Sequence, residues 1–115
     1  MDERLEKALE FSNFIETQNN QKNIFLKQFQ EDCVYYKDGT KFSVTKELIA
    51  FLSAMVNLKQ EGLVLLDDNN IPIQIDNVDE FQKNICSVYL IATRKYCKSY
   101  DSIKLNRSVE GLTTV

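Results

Sequence analysis

The stretch "LVLLDDNNIPIQI", Leu63 to Ile75, sets four polar residues (Asp67, Asp68, Asn69 and Asn70) between two apolar arms. An oxygen-rich run of this kind can bind a cation or turn a chain. A calcium loop needs alternating oxygen ligands, a central glycine and a distant bidentate glutamate. Here the acids are consecutive, no glycine follows, and Ile71-Pro72 stops the loop. Asp and Asn are favoured at turns because their side chains bond nearby backbone and tolerate left-handed φ. The stretch therefore reads as a β-hairpin, and no metal is assigned to it. A symmetric loop centred on Asp68 and Asn69 pairs Leu66 with Ile71 and Val64 with Ile73. Those four then share one face with Ile75, and Leu63 and Leu65 take the other. Pro72 lacks an N–H, which places its strand at a sheet edge.

The preceding stretch "CVYYKDGTKFSV" predicts a second hairpin. Asp-Gly is a strong two-residue turn signal. It pairs Tyr36 with Lys41, Tyr35 with Phe42, Val34 with Ser43 and Cys33 with Val44. One face then carries Cys33, Tyr35, Phe42 and Val44, so turn chemistry and facial sorting agree. Between the hairpins, Thr45 is a suitable N-cap and Gly62 a suitable stop for a short helix with a wide apolar face.

Outside the hairpins the period is helical. Leu5, Leu9, Ser12, Ile15, Asn19, Lys22, Leu26, Phe29 and Cys33 recur at three and four, widened by Phe11, Phe14, Ile24 and Phe25. "TQNNQKN" is polar on every face, but no glycine or proline breaks it, so one helix is expected from residue 3 to about 32. After a cap at Asp76 or Asn77, with Asp79 and Glu80 in the first turn, Val78, Phe81, Ile85, Val88, Ala92, Tyr96, Tyr100 and Ile103 mark a second long helix. It is expected to reach about Asn106. The fold class is α+β in the order α-β-β-α-β-β-α, with two long helices as a stalk and the hairpins and central helix as a head. Residues 1–107 read as one domain and 108–115 as a C-terminal tail.

Composition bounds the function. At 115 residues the chain is of one-domain size, with 43% hydrophobic and 27% charged residues. The net charge of −3 and pI near 5.0 lack the basic footprint of broad nucleic-acid binding. No apolar run reaches the ~18 residues of a membrane span. The opening "MDERLEKALE" has neither the basic start nor the apolar middle of a secretory signal. Cys33, Cys86 and Cys97 lack zinc-type spacing and are expected to stay reduced in a cytoplasm. There is no histidine, which removes the commonest general base.

Each candidate chemistry has a plainer competitor. Glu31, Asp32, Asp76, Asp79 and Glu80 could serve a magnesium enzyme only if they converged, and they lie at predicted element ends. A cysteine nucleophile has no histidine partner, so the three thiols read as small hydrophobes. Arg94, Lys95, Lys98, Lys104 and Arg107, interleaved with Tyr96 and Tyr100, could bind single-stranded nucleic acid. The same cations complement a helix C-terminus, and the tyrosines fall on the core stripe. The apolar helix faces are the most productive feature. Two ~30-residue helices carry more apolar surface than one antiparallel pair hides. The candidate protein interface is Leu5, Leu9, Phe11, Phe14 and Ile15, with Tyr100, Ile103 and Leu105 opposite them and Val109 and Leu112 docking from the tail.

"FSNF", "TQNNQK", "YYKDGTKFSVTKELIAF", "LLDDNNIPIQI" and "NRSVEGL" together resemble small uncharacterised proteins of large contractile-tailed phages, particularly of marine bacteria. The resemblance extends over nearly the whole chain and implies a phage-encoded protein of virion morphogenesis or of the virion. The element order is also similar to prefoldin-type chaperones, where paired long helices flank β-hairpins, although the helix between the hairpins is longer here. That similarity is one of architecture alone. The expectation is a non-enzymatic, oligomeric interaction protein without cofactor, metal, membrane or small-molecule substrate. It would act on itself or another phage protein in the host cytoplasm or the virion, and the alternative is a nucleic-acid-binding regulator.

Overall fold

The computed structural model describes the backbone of residues 2–114 and the side chains of residues 2–104. Its elements are α1 (Glu3–Asp32), β1 (Val34–Lys37), β2 (Thr40–Ser43), α2 (Lys46–Asn57), β3 (Leu63–Leu66), β4 (Pro72–Ile75) and α3 (Val78–Thr114). The order is α-β-β-α-β-β-α, with two separate two-stranded antiparallel sheets. The chain divides into two units. One is Gln30–Arg94; the other joins Met1–Phe29 with Lys95–Val115. Among the described residues no helix is long and apolar enough to cross a membrane.

Within Gln30–Arg94, the first hairpin forms as its turn dictates. Asp38 and Gly39 both adopt positive φ, 51° and 79°, which a two-residue type I′ turn requires. The strands pair Val34–Ser43, Tyr35–Phe42 and Tyr36–Lys41, the expected register. Cys33, Phe42 and Val44 are buried together on one face.

The second hairpin corrects the expected register by one residue. Leu63 pairs with Ile75, Val64 with Gln74, Leu65 with Ile73 and Leu66 with Pro72. The loop is asymmetric: Asp67 N–H bonds Ile71 C=O, Asn70 N–H bonds Asp67 C=O, and Asn70 sits at φ 61°. This is a three-residue loop, Asp68 to Asn70, closing with a left-handed residue. Because side chains alternate, the shift exchanges faces on β3. Leu63 and Leu65, not Val64 and Leu66, share the covered side with Ile73 and Ile75.

Thr45 caps α2, its Oγ1 accepting Leu48 N–H at 3.1 Å. The helix stops earlier than Gly62. Lys59 N–H bonds Val56 C=O and Gln60 N–H bonds Met55 C=O, a Schellman closure with Lys59 in the left-handed C′ position at φ 58°. Gly62 serves a different need, since a Cβ there would lie 3.0 Å from Ile75 C=O. A non-glycine residue at C′ carries strain. Lys59→Gly is therefore expected to raise stability by about 1 kcal/mol, read as a higher urea midpoint at unchanged slope. A lower midpoint would mean that the lysine stem contributes more than the strain costs.

Asn77 caps α3, its Oδ1 accepting Glu80 N–H at 3.1 Å. The expected stripe is covered: Val78, Phe81, Ile85 and Ala92 are buried, and Val88 is half-buried. Phe81 is the hub of the core. Phe42 and Tyr35 meet its ring edge-on at centroid distances of 5.3 and 5.7 Å, and Lys37 Nζ lies 5.6 Å from its centre. Leu52 of α2 and Ile75 of β4 are completely buried.

In the other unit, segments of α1 and α3 run antiparallel. Phe29 packs on Tyr96, and Gln18 Nε2 donates to Ile103 C=O at 3.3 Å. α1 is continuous through "TQNNQKN", and Gln18 shows how the polar waist meets its neighbour. The covered face of α1 differs from the expected one. Phe14, Ile15, Gln18, Phe25 and Phe29 are half-buried, while Ser12, Asn19, Lys22 and Leu26 are exposed. A face centred on Phe14, Gln18, Phe25 and Phe29 hides aromatic surface and leaves Lys22 in water, avoiding the cost of desolvating an ammonium. α3 continues to Thr114, past the expected end near Asn106, so the backbone of the segment read as a tail is helical. Between Val78 and Gly111 the sequence has no glycine or proline that could stop the helix.

Candidate functional site

The four oxygen-bearing residues of the opening stretch have separate structural roles. Asp67 is only 6% exposed. Its Oδ1 accepts the N–H of Asn69 at 2.9 Å and of Ile71 at 2.8 Å. Asp68 reaches across to the first hairpin. Its N–H donates to Lys41 C=O at 2.9 Å, and its carboxylate accepts Ser43 N–H at 2.8 Å and Ser43 Oγ–H at 2.7 Å. Asp67 builds the turn and Asp68 ties the two hairpins together. Neither Asn69 nor Asn70 adds a converging carboxylate. Among the described residues no group of three or more Cys, Asp or Glu side chains is placed to hold a metal ion.

The scattered acids do not converge either. Glu31, Asp76, Asp79 and Glu80 are exposed and Asp32 is half-buried. Asp76 and Asp79 line an open cleft with Lys59, Glu61 and Asn77, and Asp79 is paired with Lys83 at 3.0 Å. Exposed pairs of this kind contribute little.

The Cys33 thiol is unactivated. Burial, reinforced by the neighbouring Asp32 carboxylate, pushes the Cys33 thiol above its ordinary value, so it stays protonated at neutral pH and is a poor nucleophile. Cys97 is exposed and its Sγ–H points to Asp101 Oδ2 at 3.8 Å. Cys86 is half-buried.

The basic and aromatic residues of α3 sort differently from a nucleic-acid platform. Arg94, Lys95, Lys98 and Lys104 are exposed; the side chain of Arg107 lies outside the described residues. The tyrosines are engaged with protein. Tyr96 packs on Phe29 and stacks on Tyr100 at 6.3 Å, and Lys104 Nζ lies 5.3 Å from the Tyr100 ring centre. Stacking platforms need ring faces open to bases.

The candidate interface residues fall into three groups. Leu5, Leu9 and Phe11 are 51, 47 and 59% exposed. Phe14, Ile15 and Tyr100 are half-buried, and Ile103 is buried. The side chains of Leu105, Val109 and Leu112 lie outside the described residues. Ile24 and Leu26 add further exposed apolar surface on α1, and no described residue of that helix is fully buried. Sequence reasoning missed one surface, the outward side of β3. There Val64 and Leu66 are 57 and 60% exposed. Pro72 carries a partial signal: its missing N–H costs nothing at a position facing away from the partner strand, as it does in the observed register.

No protein-family profile, characterised protein or solved structure matches this chain.

Proposed function

We propose that this chain is a non-enzymatic, phage-encoded assembly or structural protein that acts by self-association through the apolar surface of α1. The observation that carries the reading is a 30-residue helix with no buried side chain among its described residues. It presents Leu5, Leu9 and Phe11 about half exposed. Leu5 and Leu9, four residues apart, lie on one face of the helix, and exposed apolar surface of this kind marks an interaction site. Covering a half-exposed Leu or Phe gains about 1 kcal/mol, so the contact must run along the helix to overcome the cost of association. The phage attribution and its setting, the host cytoplasm or the virion, rest on the resemblance of the quoted sequence blocks. The absence of any histidine and the protonated Cys33 thiol support a binding role over a catalytic one.

Sedimentation velocity across a range of concentrations tests this. The mass is expected to exceed one chain as concentration rises. Leu9→Lys combined with Phe11→Lys is expected to weaken association at least tenfold, roughly 1.4 kcal/mol, with little change in unfolding because both sites are exposed. A mass of one chain at every concentration removes the reading.

A further inference from the structure

On α3 the stretch from Phe81 to Tyr100 holds four cations, Lys83, Arg94, Lys95 and Lys98, and no acid. Lys83, Ser87, Leu90 and Arg94 are spaced by three and four, so they share one face of the helix, with Ile91 at its side. All five are exposed. Leu90 and Ile91 are 50 and 64% exposed, and with Cys86 they line a shallow groove that ends at Lys83 and Arg94. Lys83 shares an exposed pair with Asp79, and among the described residues Arg94 makes no ion pair. The start of α1 has the opposite pattern. Asp2, Leu5, Leu9 and Glu16 are spaced by three, four and seven, so they also share one face, and all four are exposed. At 3.6 residues per turn, Arg4 and Lys7 fall on the other side of that helix.

We infer that the Leu5–Leu9 face of α1 docks antiparallel on the Leu90–Ile91 groove of α3 in a second copy. This rests on the self-association proposed above and names the surface that α1 covers. Charge complementarity selects the occupant. The groove sets its apolar pair between two cations about 17 Å apart along the axis, and α1 sets Leu5 and Leu9 between two acids about 21 Å apart. In each face one charge lies three residues from the apolar pair (Asp2 from Leu5, Arg94 from Ile91) and the other seven (Glu16 from Leu9, Lys83 from Leu90). The matching order is antiparallel: Asp2 comes to Arg94 and Glu16 to Lys83, while the two leucines cover Leu90 and Ile91. Neither face suits itself. An antiparallel pair of α1 faces would oppose Asp2 with Glu16, and a pair of grooves would oppose Lys83 with Arg94, like charge against like. The contact is therefore heterologous, and each copy carries both of its halves.

Two variants and their mixture test this by sedimentation velocity. Leu5→Lys with Leu9→Lys removes the α1 face, and Leu90→Lys with Ile91→Lys removes the groove; all four side chains are exposed. Each variant alone is expected to associate at least roughly tenfold more weakly than the wild-type chain. Their equimolar mixture is expected to form a two-chain species, because the first keeps an intact groove and the second an intact α1. Arg94→Glu is expected to weaken association about fivefold, and it decides the matter if a double variant misfolds. With both variants folded, a mixture that stays at one chain overturns the inference, as does Arg94→Glu with wild-type affinity. If the groove variant associates as well as the wild-type chain, α1 meets another surface, and the function reading survives without this contact. A wild-type chain that stays single at every concentration removes both. If it associates only once a single-stranded oligonucleotide is added, the basic face takes nucleic acid and the inference is overturned.

Discussion

Phe81→Ala is expected to cost about 3–5 kcal/mol, enough to unfold much of the Gln30–Arg94 unit. Phe81 is 2% exposed and stands where three elements converge. Phe42 of β2 and Tyr35 of β1 meet its ring edge-on, and its neighbours along α3, Val78 and Ile85, are completely buried. Truncation removes the buried ring, leaves a cavity beside Phe42 and Tyr35, and forfeits two aromatic pairs worth about 0.5–1.5 kcal/mol each. Single domains have only ~5–15 kcal/mol in total. Phe81→Leu keeps most of the volume and is expected to lose about 1–2 kcal/mol, chiefly the aromatic geometry. Urea unfolding followed by circular dichroism measures both. A Phe81→Ala chain that unfolds at the wild-type midpoint would mean that the core is not centred on this ring.

Asp67→Ala is expected to cost about 2–4 kcal/mol, while Asp67→Asn costs under ~1.5 kcal/mol. Both backbone bonds to Asp67 go to the same oxygen, Oδ1, and an amide retains one carbonyl oxygen in that place. Alanine leaves the N–H groups of Asn69 and Ile71 without an acceptor next to a buried position. It also releases the turn that fixes the β3–β4 register, so the damage extends to which side chains face the core. Thermal unfolding with and without added calcium separates this account from ion binding. Turn chemistry predicts a small loss for Asp67→Asn and no calcium-dependent rise in melting temperature. A ligand role predicts equal losses in both variants and a melting temperature that rises with the ion.

The elements legible in the sequence are those whose cause is local. Asp38-Gly39 admits one tight turn, and that turn imposes the Tyr35–Phe42 register before any tertiary contact exists. Thr45 and Asn77 supply oxygens to free helix N–H groups within four residues. The α3 stripe from Val78 to Ile103 has one unbroken period, so its buried face could be read directly. α1 was harder. Its apolar residues spread around the helix, and which of them are covered depends on where Tyr96, Tyr100 and Ile103 lie alongside it.

"LVLLDDNNIPIQI" shows the division most clearly. Its residue types alone determine that the chain turns between Leu66 and Ile71 and that Asp67 to Asn70 are turn formers. They leave open a choice between a two-residue and a three-residue loop, which differ by one step of register. Tertiary structure decided it. Asp68 is drawn across to Ser43 and Lys41, Asn70 takes the left-handed position, and Ile75 seats in the core with Leu63 and Leu65 on its side. The physical reason is range: a turn's residues specify that the backbone reverses, but a side-chain period of two lets either face point inward. Only the neighbouring hairpin and helices determine which face loses its water, and that choice left the side chains of Val64 and Leu66 exposed.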